Sequence, residues 1–145
     1  MKTIFLAEDD PDDREFFEDA LKRVSIPTVL TLSNDGVELM GNLKILTQHP
    51  PPHLIFLDLN MPKMDGFQCL QEIRNTPKYK EIPIVIFSTT NSDEAVNKTY
   101  DLGANFFIRK PPSFALLIKA IEKMLTTEMW EVPNRSKEFF FITIE

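Results

Sequence analysis

Short apolar runs alternate with longer amphipathic segments along most of this chain, and this alternation constrains the fold more than any other feature. The apolar runs, which we predict to be strands, are residues 3–7, 28–32, 54–58, 84–88 and 105–108. The segments predicted to be helices are residues 12–24, 35–47, 65–75, 92–102 and 113–126. Strands joined by helical crossovers predict a parallel sheet with both faces covered, because doubly buried strands read as continuous apolar runs.

The composition fits one domain and argues against several kinds of partner. The chain has 145 residues and a hydrophobic content of 43%, which is enough for a single domain with a real core. Its net charge of −6 disfavours nucleic acid and anionic membranes as partners, since both attract a surplus of Lys and Arg. The single cysteine, Cys69, excludes an internal disulfide. Because neither a signal peptide nor a membrane-length segment is evident, we expect a cytoplasmic protein.

Charged and hydroxyl side chains follow four of the predicted strands at the point where each strand ends. Glu8 and Asp9 follow the first strand, Asp58 ends the third, Ser88 ends the fourth, and Lys110 follows the fifth. Ligands of open α/β sheets bind beyond these carboxyl ends. Carboxylates crowded there need a cation, since two charges about 4 Å apart repel by about 4 kcal/mol at an effective dielectric of 20. Oxygen ligands of this kind suit Mg²⁺.

A metal beside a carboxylate, a hydroxyl and an ammonium group is typical of a phosphoryl-transfer site. In this interpretation Asp58 is the nucleophile and takes a phosphoryl group as an acyl phosphate, while Ser88 and Lys110 bind its oxygens. Each element alone is more often structural: EDDPDD by itself indicates a helix start, with Asp10 as N-cap and Pro11 at the first helical position. Chemically matching groups at four strand ends favour the functional interpretation.

These residues give the chain a resemblance to the receiver domains of two-component response regulators, of the single-domain kind that includes chemotaxis regulators. The matching features are Glu8-Asp9, Asp58 within LDLNMPKMDG, Ser88 after IPIVIF, and Lys110-Pro111 after GANFFIR. The resemblance covers about residues 1–126 and implies a flavodoxin-like, doubly wound, five-stranded parallel sheet of order 2-1-3-4-5. We therefore predict a receiver domain over residues 1–127 and a short C-terminal extension over residues 128–145, with a place for an extra strand.

The resemblance also implies which residues carry the chemistry. Asp58 is the implied phosphoacceptor, with a histidine kinase or a phosphotransfer protein as donor. Lys110 and Ser88 are implied to bind the phosphoryl group. The implied ligands of Mg²⁺ are Glu8, Asp9, Asp58 and the backbone carbonyl of Asn60.

A switch is implied as well. Phosphorylation would draw Ser88 and the Thr89–Thr90 loop toward the site, and Phe107 would fill the space that they leave. The surface formed by the weak helix at 92–102, the fifth strand and the last helix would then change its affinity for a downstream protein. The Lys110–Pro111 bond is commonly cis in this family, and a cis bond costs little only before proline.

Two other classes of function stay open. A Mg²⁺-dependent hydrolase or phosphotransferase of the haloacid-dehalogenase-like kind has an Asp nucleophile, but it wants a second Asp two residues later, where this chain has Asn60. A docking domain that is never phosphorylated is expected to lack part of the set Asp9, Asp58, Ser88 and Lys110. We expect a signalling domain rather than a conventional enzyme, with at most self-phosphorylation and self-dephosphorylation.

The last residues, 127–145, are too few for a separate output domain, yet they contain the strongly strand-like FFFITI. Such a segment is an aggregation hazard if it stays exposed. It can fold back onto its own domain, with Trp130 and Val132 anchoring the path. Alternatively, it can pair with a partner, which includes a second copy of the chain in a homodimer.

Overall fold

The strands and helices lie where the alternation predicts them, and their boundaries differ from the prediction by at most one residue. The structure is a computed structural model and describes residues 1–46, 51–127 and 137–144. Its strands are β1 (Lys2–Ala7), β2 (Thr28–Ser33), β3 (Leu54–Leu57), β4 (Ile84–Ser88), β5 (Phe106–Arg109) and β6 (Phe141–Ile142). Its helices are α1 (Pro11–Arg23), α2 (Gly36–Leu46), α3 (Gly66–Asn75), α4 (Asp93–Leu102) and α5 (Phe114–Thr126), with one 3-10 turn at Lys137–Phe139.

All the strands run parallel in one sheet of order 2-1-3-4-5-6. The predicted order 2-1-3-4-5 is thus confirmed, and the C-terminal extension adds a strand beside β5. The carboxyl ends of parallel strands meet at one edge of the sheet. The residues that follow β1, β3, β4 and β5 are therefore neighbours in space although they are far apart in the chain.

Side-chain caps fix where several helices begin at that edge. Asp10 accepts hydrogen bonds from the backbone N–H groups of Asp12 and Asp13, and Pro11 opens α1 as predicted. Asp65 and Gln68 form a reciprocal capping box at the start of α3. These caps place the first turns of α1 and α3 directly beside the ends of β1 and β3.

The core consists of two apolar layers, one on each face of the sheet. In the first layer α2, α3 and α4 cover alternate strand residues, among them Ile55, Ile86 and Phe107. In the second layer α1 and α5 cover the intervening residues, such as Phe56 and Ile108. Both faces are covered, as the continuous apolar runs predict.

Residues 137–144, which we call the C-terminal segment, fold back onto their own sheet. Phe141 and Ile142 lie in register with Phe107 and Ile108 of β5. Phe140 enters the first apolar layer, and Ile142 enters the second. The first of the two alternatives for the tail therefore describes these residues. The expected anchors Trp130 and Val132 lie outside the described residues, and the division at residue 127 remains a prediction.

Candidate functional site

The ends of β1 and β3 bring carboxylates to the same edge of the sheet. Glu8 and Asp9 follow Ala7, and Asp58 follows Leu57, the residue that pairs with Ala7. Backbone hydrogen bonds hold these positions, since the Asp58 N–H donates to the Ala7 carbonyl (3.1 Å) and the Glu8 N–H donates to the Ser33 carbonyl (3.0 Å). The position of each carboxylate is therefore fixed by strand pairing.

Three carboxylates at this edge form a cluster that can hold a metal ion. One oxygen from each of Glu8, Asp9 and Asp58 lies within 4.8 Å of the others. Glu8 and Asp58 are buried, with 2% and 5% of their surface exposed, whereas Asp9 faces solvent. Burial, together with the nearby charge of Asp58, outweighs the Lys110 hydrogen bond and raises the pKa of Glu8 to about 8. A metal ion that replaced the proton on Glu8 would relieve the repulsion between the Glu8 and Asp58 carboxylates.

Lys110 reaches the cluster from the residue that follows β5. Its Nζ forms an ion pair with Glu8 and lies 3.3 Å from Asp58 Oδ2. Its backbone N–H donates to the carbonyl of Ser88 (2.9 Å), which joins the ends of β4 and β5. Burial by itself would lower the pKa of Lys110, but the hydrogen bond to Glu8 and the charges of Asp58 and Glu8 raise it. The lysine is therefore held as a cation against the acidic cluster.

The loop after β3 fixes the carboxylate of Asp58. Its Oδ1 accepts a hydrogen bond from the Leu59 N–H (2.8 Å), and Gly66 N–H donates to the Leu59 carbonyl (2.9 Å). Lys63 has a φ of 68°, the left-handed region, which allows the chain to turn back toward α3. The sequence MPKMDG thus closes a loop that holds Asp58 beside Glu8.

Hydroxyl and amide groups border the cluster on the β4 side. Ser88 is fully buried, and its Oγ accepts a hydrogen bond from the Thr90 N–H (3.3 Å). Asn60, whose backbone carbonyl was expected to bind the metal, donates from its side chain to Thr90 Oγ1 (3.1 Å). This bond links the loop after β3 to the loop after β4.

Phe107, the expected switch residue, already lies inside the protein with none of its surface exposed. Its N–H donates to the Phe140 carbonyl (3.0 Å), and its ring centroid lies 5.6 Å from that of Phe141 and 6.4 Å from that of Phe140. The ring of Phe107 is thus already buried in this structure, and its movement on phosphorylation stays a prediction. The C-terminal segment covers the strand from which the ring would swing.

Another expectation is wrong in this structure: no peptide bond in the described part of the chain is cis, and this includes Lys110–Pro111. The trans form is preferred by about 0.5–1 kcal/mol before proline unless tertiary contacts offset that preference. The trans bond nevertheless leaves Lys110 in contact with Asp58.

Two contacts at this site involve residues that sequence reasoning assigned only to a helix start. Asp13 Oδ2 lies 3.1 Å from Lys110 Nζ, and Arg14 Nη1 donates to the Glu8 carbonyl (2.8 Å). Asp13 stands three residues after the N-cap Asp10, and side chains of a helix lean toward its N-terminus. That spacing was the signal that could have identified it.

Comparison with known families assigns the chain to one of them. The family model described as the response regulator receiver domain matches residues 4–122. The chain belongs to the response regulator receiver family. Response regulator Rcp1 of Synechocystis sp. is 34% identical over 124 residues, a match that covers 83% of this chain and 84% of that protein. Receiver domains of this family are parts of two-component systems.

Solved structures of response regulators share the fold over most of their length. The Mn²⁺-bound form of Rcp1 has a TM-score of 0.77 at 31% identity and covers 94% of this chain and 99% of its own. A phosphorylated cyanobacterial phytochrome response regulator, RcpA, has a TM-score of 0.78 at 33% identity and covers 92% of this chain and 96% of its own. These neighbours confirm the flavodoxin-like receiver fold.

Within residues 1–46, 51–127 and 137–144, no helix combines the length and the apolar character needed to cross a bilayer.

Proposed function

We propose that the chain accepts a phosphoryl group on Asp58 and signals through phosphorylation-dependent protein contacts. The observation that carries the proposal is the environment of Asp58. This buried carboxylate has the Lys110 ammonium 3.3 Å from one oxygen and two further carboxylates within metal-binding distance. Such a site offers a nucleophile, a fixed cation and a place for a second cation, as phosphoryl transfer requires.

The residues present fit Mg²⁺. Glu8, Asp9 and Asp58 supply carboxylate oxygens, which are the ligands that this hard cation prefers. Burial and the nearby charge of Asp58 raise the pKa of Glu8 in spite of its hydrogen bond to Lys110, so a further cation beside this carboxylate would stabilise its charged form. We propose that these side chains hold the ion together with the backbone carbonyl of Asn60. When bound, Mg²⁺ neutralises charge that develops on the phosphoryl oxygens.

The side chains of this chain account for the transfer itself. A carboxylate oxygen of Asp58 forms a bond to phosphorus while the bond from phosphorus to the donor nitrogen or oxygen breaks. The leaving group takes the bonding electrons and a proton from solvent, and Asp58 becomes an acyl phosphate. Lys110 pairs with the transferred group as a cation, and the hydroxyl of Ser88 donates to one of its oxygens.

A cleft next to Lys110 offers a route for the donor. It has a volume of about 370 Å³, and its lining includes Phe16, Thr89, Lys110 and Pro112. Phe16 is 38% exposed, and its ring packs against that of Phe114, with centroids 5.4 Å apart. We propose that a histidine kinase or phosphotransfer protein docks here through apolar contacts and presents its phosphorylated side chain to Asp58.

The response to phosphorylation is proposed to pass through β4 and β5 to a downstream protein target. Ser88 pairs with Arg109, the residue before Lys110, and Phe107 lies two positions earlier on the same strand. A shift of Ser88 or Lys110 toward the phosphoryl group therefore acts on the strand that carries Phe107. We propose that this response serves signalling in the cytoplasm rather than turnover of a small substrate.

Intact-mass measurement with a small-molecule phosphodonor and Mg²⁺ tests the proposal. We expect the wild-type chain to gain one phosphoryl group and Asp58→Asn to gain none. Asp35→Asn is the matched control, because Asp35 is also a buried aspartate and Asn keeps its helix-capping ability. No mass gain in the wild type, or an equal gain in Asp58→Asn, would overturn the proposal.

A further inference from the structure

We propose that Asp13 is a positioning residue that sets how strongly Lys110 holds an incoming phosphoryl group, an inference that rests on the proposed role of Asp58. Asp13 Oδ2 lies 3.1 Å from Lys110 Nζ, and Asp58 Oδ2 lies 3.3 Å from the same nitrogen. The ammonium group is thus shared between the acceptor and a carboxylate that never carries the phosphoryl group. Glu8, the remaining partner, is tied to the proposed metal cluster.

The position of Asp13 in the cleft indicates that its charge weakens the binding of a phosphoryl group by Lys110. Its side chain is 44% exposed and lines the cleft proposed for the donor, whereas the side chains of Glu8 and Asp58 are 3% and 8% exposed. A negative charge at the cleft repels an arriving phosphoryl group and also attracts the lysine that should bind it. Both effects weaken the pairing between Lys110 and the phosphoryl oxygens.

Beryllofluoride, which mimics a phosphoryl group on a carboxylate, gives a direct test at saturating Mg²⁺. We expect Asp13→Asn to bind it about 2- to 5-fold more tightly than wild type, the scale of a partly exposed charge pair. Asp12→Asn is the matched control. Asp12 is exposed in the same first turn of α1, and its substitution removes the same charge from the helix end. Asp13→Glu, which keeps the charge, should restore wild-type affinity.

A second measurement avoids the metal. The Lys110 side-chain ammonium signal, observed by nitrogen NMR with a chelator present, should shift in Asp13→Asn and stay unchanged in Asp12→Asn. The inference is overturned if Asp13→Asn binds beryllofluoride no more tightly than Asp12→Asn, or if the Lys110 signal is the same in both variants. A wild type that fails to bind beryllofluoride overturns the proposed function instead, and the NMR arm still reports on the ion pair.

An independent set of contacts concerns the C-terminal segment. We infer that this segment is an intramolecular cover over β5, and that its release, rather than rotation of Phe107 alone, exposes the output surface. Phe140 is 1% exposed, its carbonyl accepts the Phe107 N–H, and its ring lies 5.2 Å from that of Tyr100 on α4. The cover therefore joins α4 to β5, the elements proposed to signal.

The cover also lies across a cavity from Lys110, one of the proposed site residues. A cavity of about 410 Å³ separates the loop of Lys110 and Pro111 from Ile142 and Thr143. Lys110 directly follows β5, and β5 is hydrogen bonded to β6. A movement of Lys110 toward a phosphoryl group would therefore shift β5 and weaken its pairing with β6. The pairing comprises only Phe141 and Ile142, and a contact this short has low local stability.

Hydrogen exchange measured with and without beryllofluoride tests this second inference. We expect the amides of residues 106–109 and 140–142 to lose protection on the order of 10-fold when beryllofluoride binds, because the cover opens. Phe140→Ala should produce the same loss without beryllofluoride. Phe139→Ala is the matched control, since the Phe139 ring is 66% exposed.

Three results overturn the inference of an intramolecular cover. Protection that stays constant or increases with beryllofluoride shows that the segment does not open. Wild-type exchange in Phe140→Ala shows that this ring does not hold the segment. A molecular mass in solution twice that of the chain, lost when residues 137–145 are deleted, shows that the segment is exchanged with a second copy in a homodimer.

Discussion

Gly66, the first residue of α3, lies against the backbone of the proposed phosphoacceptor Asp58. A β-carbon added to Gly66 would be 2.2 Å from the Asp58 carbonyl oxygen and 2.7 Å from the Leu59 Cα. Both atoms belong to the backbone, so neither can move away by a change of rotamer. The position of the acceptor loop therefore depends on the absence of a side chain at residue 66.

Substitution of this glycine should disturb the loop that carries Asp58. We expect Gly66→Ala to lower the free energy of unfolding by about 1–3 kcal/mol or more, as overpacking of a filled interior does. Gly41→Ala is the control, because nothing lies within 4 Å of its added β-carbon. In the middle of α2 that change should stabilise by about 0.5–1 kcal/mol. Urea unfolding measures both; equal effects of the two substitutions would contradict the packing argument.

The C-terminal segment should contribute to the stability of the whole domain through one aromatic ring. Phe140→Ala removes a ring that is 1% exposed, and we expect a loss of about 3–5 kcal/mol, or less if the segment detaches and relieves the cavity. Phe139→Ala, next to it in the chain, should stay within about 0.5 kcal/mol of wild type. Denaturant unfolding measures the free energy of unfolding of both variants. A Phe140→Ala variant as stable as Phe139→Ala would mean that the segment is not part of the core.

Lys110 should stabilise the fold in the absence of divalent metal. Lys110→Met leaves the buried Asp58 carboxylate without its cation, a change that costs about 3–5 kcal/mol for buried pairs. Lys63→Met, which removes an exposed lysine 3.6 Å from Asp35, should cost less than about 1 kcal/mol. Thermal unfolding with a chelator present measures the loss, and added Mg²⁺ should restore more stability to Lys110→Met than to wild type. Equal gains would argue against a shared role of the two cations.

The free energy of unfolding should depend on pH through Glu8. Because its pKa is raised from 4.5 to about 8, the folded protein binds a proton that the unfolded chain has lost between these values. The contribution of Glu8 to stability therefore falls as pH rises from about 4.5 to 8, by about 5 kcal/mol in total. Glu8→Gln should flatten this decline in metal-free buffer, and Glu15→Gln, an exposed control on α1, should not. An unaltered pH profile in Glu8→Gln would count against a protonated Glu8.

The fold and the carboxylate cluster could be predicted because they follow from strand ends. Apolar runs locate the strands, and parallel pairing then places whatever follows Ala7 and Leu57 at one edge. Strand order and direction are therefore enough to predict that four site residues lie together: Glu8, Asp9, Asp58 and Lys110. Strand pairing is a strong constraint, because a shift in register would move a whole apolar face to the wrong side.

Other features depend on tertiary contacts that local patterns do not report. The sequence around Asp13 has a complete local explanation as a helix start, so its contact with a lysine 97 residues away was not predicted. The strand-like character of FFFITI was visible, but its pairing with β5 depends on where the chain returns. The buried ring of Phe107 packs against Phe140 and Phe141 of that segment, and the trans Lys110–Pro111 bond reflects a small energy difference that neighbouring residues decide.

The parallel direction of β6 has a practical consequence for labelled forms of this protein. Since every strand runs the same way, β1 begins at the edge of the sheet opposite the acidic cluster, whereas β6 ends at the same edge as Asp58. Thr143 and Ile144 already line a cavity with Lys110. A fluorophore or affinity tag joined after residue 144 would therefore start beside the proposed phosphorylation site and crowd an approaching donor. The same group placed before Met1 would start on the far side of the sheet and leave that approach clear.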